Sequence, residues 1–364
     1  MAAFNAGRHK SVSLINKGIF NCVKNKMRIS MVTGLSSIGK VISFRNAGGM
    51  GTQVPILAEK LGEKGFDVAI DDVKDFDVLH LHNPLPNFVP LVRRAKRQGK
   101  PVVIHARHIP ELVKGGFKFD KILYPVFDLY SRWLYNQADV VICATPYVKR
   151  WMEQNGVKSK LAVIPNGVDI SRFCQDDERR AAFRKNHALE GKFLIFSVGL
   201  LIPRKGVRDF INVAKKFEGK DAYHFLWVGS TEPGLEKADI SDAPGNINFI
   251  GHIPFDEMPA VYSAGDVFFF PTYAESYGNV LFEAAASGKP IVLRDIEIYE
   301  DWLKNGVNCL KGKTAEEYAA HIKTLFENKK MRESLGKEAK RLAEEHNIDN
   351  TVSKLAELYE SLIE

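Results

Sequence analysis

What this sequence lacks narrows it first. No aspartate or glutamate precedes Glu59, no C-x-x-C pair occurs, and no apolar run approaches the roughly 18 residues a membrane-spanning helix needs. The four cysteines, Cys22, Cys143, Cys174 and Cys309, are scattered, which argues against a zinc module or a disulfide framework and fits a reducing cytosol. No short repeat marks a solenoid, and the segment before Met27 lacks the apolar core of a secretory signal. What remains is 364 residues, 45% hydrophobic, enough for two ordinary cores and too few for three. A net charge of +7 and a pI near 9.0 point to an anionic partner: nucleic acid, an acidic membrane or a phosphorylated ligand.

The most informative stretch is FFFPTYAESYGNVLFEAAASGKPIVL, Phe268 to Leu293. Val267 to Phe270 and Pro290 to Leu293 read as buried parallel strands joined by a helix rich in Ala and Glu, one βαβ unit. The turn Glu275-Ser276-Tyr277-Gly278-Asn279, followed by Val280, aims backbone N–H groups and a helix N-terminus into the crevice above the sheet, an arrangement that attracts phosphate. Glu275 and Glu283, spaced E-x7-E, put one carboxylate in the turn and another in the helix, where acids can accept pairs of sugar hydroxyls. The same pattern also serves as acidic partners of a helix dipole.

These residues resemble the retaining glycosyltransferases of family 4. Their E-S-F/Y-G-x-x-x-x-E turn and following E-A-x-A-x-G-x-P are matched by Glu275 to Gly278, Glu283 to Ala285 and Gly288 to Pro290. The run VLRDIEIYEDWLKNGVNCLKG, Val292 to Gly312, looks like the monoglucosyldiacylglycerol synthases within that family. The resemblance covers nearly all the chain from Met27 onward and implies an α/β, GT-B fold: two facing Rossmann-like domains, a cleft between them, and a C-terminal helix crossing back. The expected division is a basic extension over 1–26, an acceptor and membrane domain over 27–185, a nucleotide-sugar domain over 186–345, and the returning helix over 346–364. It further implies retaining transfer of glucose from UDP-glucose to diacylglycerol, without cofactor or metal, by a cytoplasmic protein peripheral on the inner face of the cell membrane.

In chain order, Val12, Ile15, Ile19 and Val23 fall at helical spacing opposite lysines, consistent with an interfacial helix, a frayed extension or a targeting peptide. The glycines Gly48, Gly49 and Gly51 allow close approach of backbone to a ligand, though not at dinucleotide-motif spacing; the resemblance places Gly48 and Gly49 across from the donor diphosphate. Two strands carry His80, His82 and His105 toward their carboxyl ends, with His108 just beyond, where ligands of open α/β sheets bind. A metal site lacks further ligands, so structural imidazoles are the preferred reading. Relatives place a histidine near the reacting sugar carbon where this chain has His105-Ala-Arg107-His108; Arg107 occupies that position, so the role passes to His108, then His105. Asp75-Phe-Asp77 reads as a loop-to-strand junction. Arg93, Arg94, Arg97 and Lys100 form a basic helix end ahead of an aromatic segment containing Phe117 and Phe119, a combination suited to anionic headgroups or to a solvated face with core aromatics.

Asn166 to Gly191 reads as an inter-domain linker. Gly199 closes the first strand of the second domain, and Arg204-Lys205-Gly206 then opens a helix. Arg204 and Lys205 can neutralise a diphosphate, the lysine in keeping with the family. Many relatives carry arginine where this chain has Leu200. His252 and Ile253, after Gly251, fall where relatives hold the nucleotide base with backbone groups. No aromatic-bearing basic repeat or binding module supports nucleic acid. The expected partners are a nucleotide sugar, a lipid acceptor and an anionic membrane surface. Another family 4 transferase with a different lipid or glycan acceptor, or a nucleotide-sugar sensor suggested by Leu200 and Arg107, stays open.

Overall fold

The computed structural model describes residues 26–34, 50–107, 120–231 and 235–363. Two six-stranded sheets, parallel throughout, form two domains. The first contains β1 (Arg28–Val32), β2 (Asp67–Ile70), β3 (Val78–His82), β4 (Val102–Ala106), β5 (Val140–Cys143) and β6 (Lys160–Val163), in the order β2-β1-β3-β4-β5-β6. The second contains β7 (Phe193–Val198), β8 (Tyr223–Val228), β9 (Ile247–Phe249), β10 (Val267–Phe270), β11 (Ile291–Arg294) and β12 (Leu310–Gly312), ordered β12-β11-β10-β7-β8-β9. The helices are α1 (Met50–Glu63), α2 (Val89–Arg97), α3 (Asp120–Tyr135), α4 (Pro146–Gln154), α5 (Asp177–Asn186), α6 (Val207–Lys215), α7 (Met258–Ala264), α8 (Asn279–Ala286), α9 (Ala315–Glu327), α10 (Lys329–Glu345) and α11 (Ile348–Glu360).

Helices cover both faces of each sheet, which is why the central strands are apolar without alternation. In β10, VFFF, Phe268 and Phe270 enter one core with Leu281 and Tyr277, while Val267 and Phe269 enter the other with Phe210 and Tyr318. In the second sheet the chain runs outward from β7 to β9 and then returns to the other side of β7 as β10. The reversal between β7 and β10 opens a crevice at their carboxyl ends, the usual ligand position in such sheets.

Helix α11 crosses back. Ile348, Val352, Leu355 and Tyr359 are buried in the core under the first sheet, with Ile29, Met31, Val103 and Ile142. Its entry lies beside the outgoing crossing: Val168 N donates to the His346 carbonyl at 2.9 Å, and Ile348 N to the Val168 carbonyl at 3.0 Å. Gly167 has φ +81°, and a Cβ there would lie 2.7 Å from Ile348 Cα, so the two crossings pass closer than any side chain permits.

The stretch expected as linker is not irregular. Asp176 caps α5 by accepting from Arg179 N, and Arg180 and Arg184 both pair with Asp266 at 2.6 Å while reaching carbonyls at the end of α7. The expected division at 185/186 therefore falls inside a helix that packs on the second domain. Its sequence hid it because α5 buries Phe183 and an arginine stem rather than an apolar stripe.

Leu355→Ala should destabilise the full chain by about 2–5 kcal/mol in urea unfolding, because the vacated volume lies between α11 and a sheet that cannot collapse onto it. A loss below about 1 kcal/mol would show that α11 is not part of the first core.

Candidate active site

The loops after β7 and β10 build the site at the reversal of strand order. After β7, Gly199 (φ +159°) brings its carbonyl under Trp227, whose Nε1 donates to it at 2.9 Å. The 3-10 turn Pro203–Lys205 follows, ending at Gly206, where a Cβ would lie 2.2 Å from the Pro271 carbonyl oxygen. This glycine lets the two loops touch. Tyr273 N donates to the Arg204 carbonyl at 2.9 Å, and Arg204 Nη1 to the Ala274 carbonyl at 2.6 Å. Between them Lys205 Nζ is ion-paired with Glu275 Oε1, which also accepts from Thr272 Oγ1 at 3.2 Å. The Lys205 and Glu275 side chains are 14% and 9% exposed.

For both groups burial is the largest influence. It lowers the Lys205 ammonium, and it would raise Glu275 but for Lys205 and Arg204, which together hold that carboxyl below its ordinary value. Glu275 is therefore a carboxylate at neutral pH. Gly278 (φ +83°) turns the chain into α8, and a Cβ there would lie 2.5 Å from the Tyr299 hydroxyl. No side chain caps α8, so its first amides remain available to an anion.

Gly199, Arg204, Lys205, Glu275, Ser276, Gly278, Asn279 and Val280 thus converge on one crevice mouth, with half-exposed Ser276 at the turn. Tyr277 differs: its ring is buried on Phe282, Trp302 and His346, and its hydroxyl meets His346 Nδ1 at 2.9 Å, so only its backbone faces the turn. Glu283 lies on α8 and accepts from the Tyr262 hydroxyl at 2.5 Å. Burial raises its carboxyl to about 7 against that hydrogen bond. His252, exposed, and half-buried Ile253 follow β9 at the same end of the sheet. Gly48, Gly49, His108, Phe117 and Phe119 lie outside the described residues.

The histidines depart from expectation. His80, His82 and His105 are 0% exposed beneath α11, where His80 Nδ1 meets the Tyr359 hydroxyl at 2.6 Å. The enclosed His105 ring cannot reach a substrate in the cleft, which corrects its role as second choice for the sugar-contacting histidine. Nitrogens of the three rings lie within 4.8 Å of one another, the one group among the described residues that could hold a metal. The rings are stacked, with interplanar angles of 2°, 27° and 28°. Ring-plane lone pairs then run side by side rather than converging as tetrahedral coordination requires. Sequence reasoning missed Thr272 and Tyr262 as partners of the two acids; neither carries a motif signal.

Of the basic helix end, Arg94 donates to the Val73 carbonyl and Lys100 pairs with Asp75 at 3.1 Å, so both brace the loop before β3. Arg93 and Arg97 remain exposed.

Residues 178–342 match the family described as glycosyl transferases group 1, and residues 69–172 match Glycosyltransferase Family 4. A processive diacylglycerol alpha-glucosyltransferase of Acholeplasma laidlawii is 30% identical over 269 residues, 72% of this chain and 79% of that protein. This chain is a family 4 glycosyltransferase. An alpha-galactosylglucosyldiacylglycerol synthase of Streptococcus pneumoniae is 24% identical, covering 93% of this chain and 90% of its own. Among solved structures, sucrose-phosphate synthase from Thermosynechococcus elongatus superposes with a TM-score of 0.77 at 16% identity, covering 93% and 99% of the two chains. Anabaena HepE, in complex with UDP-glucose, gives 0.73 at 17%, covering 92% and 100%. These neighbours establish the GT-B fold of the glycosyltransferase.

Two outcomes follow from the site's charges. Lys205→Met leaves Glu275 buried without its cation and should cost about 3–5 kcal/mol in chemical denaturation, most of it recovered by adding Glu275→Gln; no recovery would mean the two charges do not compensate each other. Glu283 has a folded value near 7 against 4.5 for the free group. Its contribution to stability is complete below about 4.5 and is lost as pH rises through 7. Wild type should therefore lose up to roughly 3 kcal/mol relative to Glu283→Gln across that window and little outside it. Parallel stability curves for the two proteins would contradict the raised value.

Proposed function

We propose that this glycosyltransferase moves glucose from UDP-glucose to diacylglycerol with retention of anomeric configuration, without a metal ion, on the inner face of the cell membrane. The observation that carries the reading is the Lys205–Glu275 pair at the reversal between β7 and β10, beside the uncapped start of α8. A nucleoside diphosphate fits this mouth, with phosphoryl oxygens on the α8 amides and near Arg204 and Lys205, and hexose hydroxyls on Glu275. As the sugar–phosphate bond breaks, the leaving diphosphate gathers negative charge, and donors already fixed in place stabilise it most where charge develops. Glu283, half-buried against Tyr262, suits the ribose hydroxyls. Closing the domains would exclude water and favour transfer over hydrolysis.

The glucose donor and the diacylglycerol acceptor are supported by the named activity of the Acholeplasma relative, and the broader class of diacylglycerol glycolipids by that of the pneumococcal one. Membrane contact is supported by α3, where Val126, Leu129 and Trp133 form one stripe at 70%, 67% and 43% exposure. The Tyr130 hydroxyl on the same helix donates to the Leu85 carbonyl at 2.8 Å, tying α3 to the segment before α2 with its exposed Arg93 and Arg97. No helix among the described residues is long and apolar enough to cross a membrane.

The test is incubation with radiolabelled UDP-glucose, UDP-galactose or GDP-mannose and vesicles of diacylglycerol in anionic lipid, followed by lipid chromatography. The expected result is an alpha-glucosyl lipid from UDP-glucose alone, with Glu275→Gln lowering kcat roughly a hundredfold. A lipid product only from another donor, or none from diacylglycerol, would overturn the assignment.

A further inference from the structure

The first domain holds a cation for which the described residues supply no anion. Arg107 lies just past β4 with 7% exposure. Its Nε donates to His82 Nδ1 at 3.1 Å, and its Nη1 to Gln53 Oε1 at 2.5 Å and Asn166 Oδ1 at 3.3 Å. Nη2 is buried with no partner. All of these acceptors are neutral, since burial holds His82 well below its ordinary range. Burial also lowers the guanidinium to about 9, which still leaves it charged at neutral pH. An enclosed charge with only dipoles around it is costly, and a free N–H edge adds to that cost.

Its position shows what could cancel the charge. Asn166, at the inter-domain crossing, passes the connection on: its Nδ2 donates to Asn279 Oδ1 at 2.8 Å, and Asn279 is the first residue of α8. Arg107 therefore stands two hydrogen bonds from the uncapped helix end, on the opposite domain. On the second domain, the Lys205 charge is already shared with Glu275, and uncharged Leu200 follows Gly199. A diphosphate carries more negative charge than Arg204 and a partly committed lysine can balance.

We infer that Arg107 is the first domain's binding group for the donor diphosphate, its guanidinium completed by a phosphoryl oxygen so that the bound nucleotide joins the two domains. This rests on the nucleotide-sugar reading above. The free Nη2 edge suits phosphate because its two N–H groups carry guanidinium charge on a planar group already fixed through its other nitrogens, which a flexible lysine stem does not offer. The neutral histidine stack and Gln53 hold that edge in place before the ligand arrives. The occupied site would then exchange an uncompensated buried charge for a charge-assisted hydrogen bond.

The test compares equilibrium binding of UDP, UDP-glucose and uridine by the full-length chain, as wild type, Arg107→Gln and Arg107→Lys, with unfolding midpoints recorded with and without UDP. In Arg107→Gln, affinity for UDP and UDP-glucose should fall roughly tenfold to a hundredfold, and affinity for uridine, which lacks phosphate, should be unchanged. Arg107→Lys should recover part of the loss. Without nucleotide the glutamine variant should unfold no earlier than wild type, while losing most of the rise in midpoint that UDP produces. Wild-type affinity for UDP in Arg107→Gln, or a loss shared equally by uridine, overturns the inference and leaves the transferase reading standing. A wild type that binds no nucleoside diphosphate removes both. Should the glutamine variant fail to fold, Arg107→Lys decides: reduced UDP affinity with intact uridine affinity supports the inference, and undiminished UDP affinity overturns it.

Discussion

The site depends on two opposite charges that neither loop could keep alone. Lys205 follows β7 and Glu275 follows β10, and each would be expensive to enclose without the other. Paired, they draw together the loops of two adjacent strands, and the Arg204 contacts to Tyr273 and Ala274 fasten the same loops through the backbone. Glycines at 206 and 278 supply the close approaches this requires. The amides that open α8 consequently sit at a defined height above a sheet whose phenylalanines fill both faces. A site assembled in this way has little left to reorganise when charge develops on a leaving group.

A second constraint ties this site to the domain seam. The outgoing strand of chain at Val168 and the returning one at His346 hydrogen-bond to each other, and Tyr277, from the turn before α8, reaches His346 Nδ1. Asn166, two residues earlier, reaches Asn279 from the opposite side. The turn before α8 is thus held between the two crossings. Both chain crossings between the domains therefore lie beside the first turn of α8.

Legibility in the sequence followed the kind of force involved. The unit from β10 to β11 was readable almost to the residue, because a strand buried on both faces has to be a short apolar run and a left-handed turn ahead of a helix selects glycine. Glu275 and Lys205 were readable through their motifs as residues of the crevice mouth, though not as each other's partner. By contrast, α5 is held by Arg180 and Arg184 on Asp266 and on carbonyls 80 or more residues away, a pattern with no local period. Arg94 and Lys100 looked like a docking surface, yet they brace a loop, since a long cation can fold back on its own domain as readily as reach outward. His105 looked available at a strand end until α11 covered its sheet face.

By itself the sequence determined the class of fold, the two domains and the residues that meet at the second domain's crevice, because apolar runs, glycines at left-handed turns and the spacing of two acids are local signals; the family came through the resemblance of its motifs. Only the tertiary structure decided what those residues do to one another: Lys205 neutralising Glu275, Tyr277 turned away into the core, three imidazoles stacked beneath the returning helix, and Arg107 left without a counter-charge. The reason is that desolvation and charge compensation depend on neighbours from distant parts of the chain, and no local pattern records which of them will be buried together.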